Sequence, residues 1–84
     1  MLGPEHPDTA IGLNNLARLL RAQGELTAAR PLYERALAIW ERVLGPNHPD
    51  TAISLNNLAR LLQAQGELAA ARPLLERASR QRRE

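Results

Sequence analysis

Two tripeptides, His6-Pro7-Asp8 and His48-Pro49-Asp50, hold the residue types most capable of chemistry in this sequence. An imidazole close to a carboxylate can relay a proton, and both groups can ligate a metal ion. The remaining parts of either reaction are missing. A metal site needs about three or four converging ligands, and the two histidines stand 42 residues apart. Cysteine is absent, and the only serines, Ser54 and Ser79, belong to no histidine-containing nucleophile motif. No glycine-rich turn leads into a lysine, as a phosphate loop requires. A plainer account suffices: proline fits the first helical turn, and an acid beside it favours the positive end of a helix. The tripeptides read as helix starts, and the chain reads as a protein without catalytic residues, metal or cofactor.

A second group of residues carries binding chemistry. With residues about 100° apart on a helical wheel, Ile11, Asn14, Asn15, Arg18, Arg21 and Ala22 share one face. Ile53, Asn56, Asn57, Arg60, Gln63 and Ala64 share its counterpart. An amide side chain both donates and accepts hydrogen bonds, which suits a peptide backbone. A guanidinium pairs bidentately with a carboxylate. The same residues equally suit an outward, solvated face, and Arg18 could pair with an acid of a neighbouring unit.

Composition limits the elements that can position these residues. The chain has 84 residues, of which leucine (16) and alanine (14) favour helix over sheet. A domain of this size hides only roughly 60–65% of its unfolded surface, so its core is small. No apolar run approaches the ~20 residues that span a bilayer, which points to a soluble, cytoplasmic protein without a membrane partner. Residues 1–76 carry seven arginines against eight acids, so the net charge of +2 arises in residues 77–84. Arg77, Arg80, Arg82 and Arg83 outweigh Glu84 there. A basic tail can touch anions loosely, but no basic face runs through the body, so no specific nucleic-acid partner is expected.

Repetition decides the architecture. Shifted by 42 residues, the chain matches itself at 30 of 42 positions, and six of the 12 mismatches are the last six of each unit. Each unit reads as two helices. The first begins at the His-Pro-Asp tripeptide and gathers Leu13, Leu16, Ala17 and Leu20 on one face. Gly24 ends it and Glu25 opens the second, whose apolar positions are Ala29, Leu32, Tyr33, Ala36, Leu37, Trp40, Val43 and Leu44. Gly45-Pro46 stops that helix. Pro31 and Pro73 fall about a turn and a half inside the second helices, where they cost less than at mid-helix. Ala17, Ala29 and Ala36, with Ala59, Ala71 and Ala78, let the helices approach closely.

These residues resemble the tetratricopeptide repeat, with Leu13, Leu16-Ala17, Leu20, Gly24, Ala29, Tyr33 and Ala36 in its signature positions. The second unit supplies Leu55, Leu58-Ala59, Leu62, Gly66, Ala71, Leu75 and Ala78. The period of 42, with Leu-Gly-Pro-x-His-Pro-Asp-Thr-Ala and Leu-Asn-Asn-Leu-Ala, is similar to the kinesin light chain type. The resemblance implies an all-α fold of two tandem helix-turn-helix repeats, a short right-handed α-solenoid. It would form one domain over 1–84, with repeats 1–42 and 43–84 and a polar cap at 79–84. It also implies a non-enzymatic scaffold whose first helices line a concave groove for a peptide or protein segment. Asn15 and Asn57 would then bond a peptide backbone, and Arg18 and Arg60 would attract carboxylates. Asn14, Asn56, Arg21 and Gln63 would sit at the groove edge. The lysine that helps some relatives clamp a C-terminal carboxylate has no counterpart, since all 11 basic residues are arginine.

A structural role is the alternative. The first helix pair has no preceding unit in this sequence, so Leu19 is expected to face water. Ile39, Trp40 and Val43 are expected to overhang the shortened second unit. Exposed apolar surface of this kind favours association, here as a homodimer through the uncapped end.

Overall fold

The computed structural model describes residues 5–82, residues 81 and 82 by their backbone only. Four helices follow in order: α1 (Pro7–Ala22), α2 (Leu26–Val43), α3 (Pro49–Ala64) and α4 (Leu68–Arg82). Helix α1 packs on α2, α3 on α4, and α2 on α3. The chain is thus two helix pairs stacked in line, the all-α repeat arrangement expected from the sequence. Leu2-Gly3-Pro4 lies outside the described residues. So do Arg83, Glu84 and the side chains of Gln81 and Arg82, hence most of the cap expected at 79–84.

Local chemistry sets the helix ends. His6 and His48 are N-caps with extended backbone, and the Nδ1 of each accepts the N–H two residues on, from Asp8 and Asp50, at 3.0 Å. The tripeptides are helix starts in which the histidine itself satisfies an orphan donor. At the other end of α1, Gly24 takes φ 81°. That left-handed turn lets Gly24 N–H reach Arg21 O and Glu25 N–H reach Leu20 O, a Schellman closure. Gly66 repeats it after α3, with Glu67 N–H on Leu62 O at 2.8 Å. Gly45, at φ 91°, closes α2, and the fully buried Thr51 hydroxyl donates to its carbonyl at 2.8 Å. This bond ties the inter-unit turn to the first turn of α3.

The core follows the alanine and leucine pattern. Ala17, Ala29, Ala36 and Ala59 are fully buried, and Ala71 and Ala78 nearly so. One cluster joins Ala17, Tyr33 and Leu37 of the first unit to Leu55, Leu58, Leu61 and Leu62 of α3. Salt bridges from Arg42 to Glu5 and from Arg77 to Glu41 cross between elements; the second links α4 to α2.

Two expectations need correction. Leu16, placed on the packed face of α1, is 48% exposed, whereas its counterpart Leu58 is 6% exposed. Helix α3 lies against both α2 and α4, but α1 has α2 alone as its main neighbour. Leu19 faces water as expected, at 54% against none for Leu61. Ile39 and Trp40, expected to overhang, are buried in a cluster with Ala10 and Ala36, flanked by Leu13 and Leu44. Because α2 returns antiparallel to α1, its last turns lie beside the start of α1, where the small Ala10 makes room for the indole. Only Val43 of that trio stays exposed.

Candidate peptide-binding face

The polar stripes of α1 and α3 come together through one bond: Asn57 Nδ2 donates to Asn14 Oδ1 at 3.1 Å. The pairing is offset by one position from repeat equivalence, since Asn14 corresponds to Asn56. Asn14 therefore sits at the seam between the helices, and one amide donor of Asn57 is already engaged. Asn15 is exposed and Asn56 half-buried.

Toward the C-terminal ends of the two helices the face becomes basic. Arg18 and Arg60 are exposed and Arg21 half-buried. All three act on the buried Tyr33 phenol: burial pushes its pKa above the ordinary 10.0, while the charges of Arg21, Arg18 and Arg60 pull it back down. None of the three has an ion-pair partner among the described residues, so the internal pairing considered for Arg18 does not occur. Arg30, Arg42, Arg72 and Arg77 are paired. Arg35 and Arg80 also have no ion-pair partner among the described residues, but they lie on α2 and α4 and do not act on Tyr33. Gln63 and Ala64 continue the face as exposed residues.

Toward the N-terminal ends the face opens into a pocket of about 230 Å³. Ile11, Ile53 and Trp40 wall it, and Asn14, Asp50, Ser54 and Asn57 supply its polar groups. Ser54 is 2% exposed, and its hydroxyl has no hydrogen-bond partner among the described residues.

Of the residues that sequence reasoning set on one face, the structure brings Asn14 to Asn57 and Arg18, Arg21 and Arg60 to Tyr33. That reasoning took Tyr33 as core, expected Trp40 to overhang the second unit, and gave Ser54 and Asp50 no part in the face. One signal was available for Ser54. It stands opposite Gly12, one of the few mismatches between the units. Among the described residues, no three His, Cys, Asp or Glu side chains gather as a metal site would require. No described helix is long and apolar enough to cross a membrane.

No curated protein sequence matches this chain. The family model of the tetratricopeptide repeat matches it over residues 8–84. With paired antiparallel helices, glycine-closed turns and alanine contacts already in place, that match makes this chain a member of the tetratricopeptide repeat family.

Proposed function

We propose that the chain is a non-enzymatic protein-interaction module that takes an extended, acidic segment of a partner protein along the α1/α3 face. The observation that carries this reading is the group of Arg18, Arg21 and Arg60 around Tyr33, none of them neutralised by an acid among the described residues. Such a cluster raises the local concentration of anionic ligands, and each guanidinium can clasp a carboxylate through two parallel bonds. Asn15, Asn56 and Gln63 flank the cluster with amides suited to a peptide backbone. Asn14 and Asn57 hold the helices in register beneath it. The period of 42 supports the kinesin light chain type of repeat, and units 1–42 and 43–84 act as one domain in the cytoplasm.

The test uses Tyr33, the sole tyrosine, as reporter. A glutamate-rich decapeptide is titrated into the wild type and the Arg18→Ala/Arg60→Ala variant while tyrosinate absorbance is followed against pH. Binding neutralises the arginines, so the Tyr33 titration moves further up in the wild type and stays put in the variant. Binding indifferent to both arginines overturns the reading.

A second reading rests on Leu16 and Leu19, 48% and 54% exposed where Leu58 and Leu61 are buried. This face of α1 is shaped for a neighbouring helix, and a second copy of the chain would cover it as a homodimer. Light scattering across a wide concentration range checks it. A constant monomer mass would remove it.

A further inference from the structure

We propose that the pocket beside Trp40 receives an arginine side chain of the bound partner segment; this specifies the partner for the groove reading above and rests on it. Asp50, Ser54 and Asn57 follow one another at i, i+4 and i+7 on α3, a spacing that stacks side chains on one helix face. All three residues line the pocket, and each carries a side-chain acceptor. The Ser54 hydroxyl is buried without a partner among the described residues, a state that carries a free-energy cost until something bonds to it. Asn57 uses an amide N–H on Asn14, which leaves its Oδ1 to accept.

Asp50 adds the charge. Its Oδ2 lies 4.0 Å from His48 Nδ1, but that nitrogen accepts the Asp50 N–H. The single lone pair of that nitrogen is engaged there, so it holds no proton to donate to the carboxylate. The pocket is thus lined by residues that carry a carboxylate, a hydroxyl and an amide oxygen, together with two isoleucines and an indole.

A fitting group must be cationic, rich in N–H donors, and carried on an apolar stem. Arginine satisfies each requirement: its stem lies between Ile11 and Ile53, its plane stacks on Trp40, and its donors meet the three acceptors. A carboxylate is repelled by Asp50. On α1 the matching position is Gly12, which has no hydroxyl to offer.

The geometry also sets a register. Asp50 and Arg60 lie ten residues apart on α3, about 15 Å at the helical rise. An extended peptide advances about 3.3 Å per residue, so the partner carries its arginine and its acid about four to five residues apart.

A random decapeptide library selected in parallel on the wild type, Asp50→Asn, Ser54→Ala and Arg18→Ala/Arg60→Ala tests this. Circular dichroism first checks that each variant is folded. The wild type should enrich arginine at that spacing from an acid. Asp50→Asn should lose the arginine and keep the acid, and the double arginine variant should do the reverse. Replacing the arginine of a selected peptide by alanine should weaken binding to the wild type about tenfold, the order expected for a charge-assisted hydrogen bond. The same replacement should abolish the change in Trp40 fluorescence on binding. Ser54→Ala should weaken the arginine peptide and leave the alanine peptide unaffected. Enrichment of acids with no spaced arginine would overturn the pocket assignment while leaving the groove reading intact. Enrichment of neither would overturn both. Lysine enriched equally with arginine would refute stacking on the indole as the basis of selection.

Discussion

Leu16 and Leu58 occupy the same position in the two units, and truncating each to alanine tests why their exposures of 48% and 6% differ. At about 0.8 kcal/mol per buried methylene, the full transfer term for leucine to alanine is about 2.4 kcal/mol. Leu58→Ala forfeits nearly all of it and leaves a cavity in the cluster that holds Tyr33 and Leu37. The cavity brings the loss to about 3–4 kcal/mol. Leu16→Ala forfeits about half the transfer term, roughly 1 kcal/mol, because water already reaches the site and fills the space. A chain of this length has a total stability of about 4–13 kcal/mol, so the two losses are easily told apart. Urea denaturation followed by circular dichroism at low micromolar concentration should separate the variants by about 2 kcal/mol or more. Equal losses would refute the reasoning, since α1 would then be covered as fully as α3. Raising the protein concentration about a hundredfold tests the second reading as well. If copies associate through α1, the Leu16→Ala loss grows with concentration and the Leu58→Ala loss does not.

Gly12 lies within α1, and a Cβ there would meet nothing within 4 Å. Gly12→Ala should therefore stabilise the chain by roughly 0.5–1 kcal/mol, and a lower thermal midpoint would contradict that. His48→Ala removes the acceptor that holds the Asp50 N–H and should cost about 1 kcal/mol, while His48→Asn restores most of it. Equal midpoints for the two variants would remove the capping role. Tyr33 keeps its proton in the fold at a pH where the unfolded chain, with a pKa near 10.0, begins to lose it. The unfolded state then binds fewer protons, so this contribution is complete below pH 10 and declines as pH rises above it. Tyr33→Phe should flatten that alkaline decline, and Arg18→Ala or Arg60→Ala should move the Tyr33 titration further up. A titration insensitive to both arginines would show that their charges do not reach the phenol.

The helix boundaries were legible because they are decided within a few residues. Gly24, Gly45 and Gly66 take positive φ, a conformation that favours glycine over every residue with a side chain, and the His-Pro-Asp starts announce themselves in the same way. The alanines at the contacts were legible for a related reason: a small residue inside an apolar stripe has little use except close approach. What the wheel could not supply was coverage by other elements. It placed Leu16 on the packed face correctly as a direction, but burial also needs a neighbour in that direction, and α1 lacks the second one that α3 has. Trp40 failed in the opposite sense. Its cover comes from the start of its own unit, through a chain reversal that no local window contains.

The proposed binding face divides along the same line. Asn14, Asn15, Arg18 and Arg21 share a stripe by periodicity alone, as do Asn56, Asn57, Arg60 and Gln63. Their meeting in the order Asn14 to Asn57 depends on how two units settle against each other. The two units agree at 30 of 42 positions, yet the pocket needs a position where they differ. Gly12 and Ser54 begin from the same place in the repeat, and only the second brings a hydroxyl-bearing side chain to the pocket that Trp40 and Asp50 line. A perfectly repeated face would offer a partner the same chemistry in every unit and could not fix where along the stack a segment should start. The mismatch at this position distinguishes one unit from the other. With Asp50 at the pocket and the arginines toward the far ends of the same helices, the proposed face has an acidic end and a basic end, and a segment of mixed charge would lie along it in a single direction.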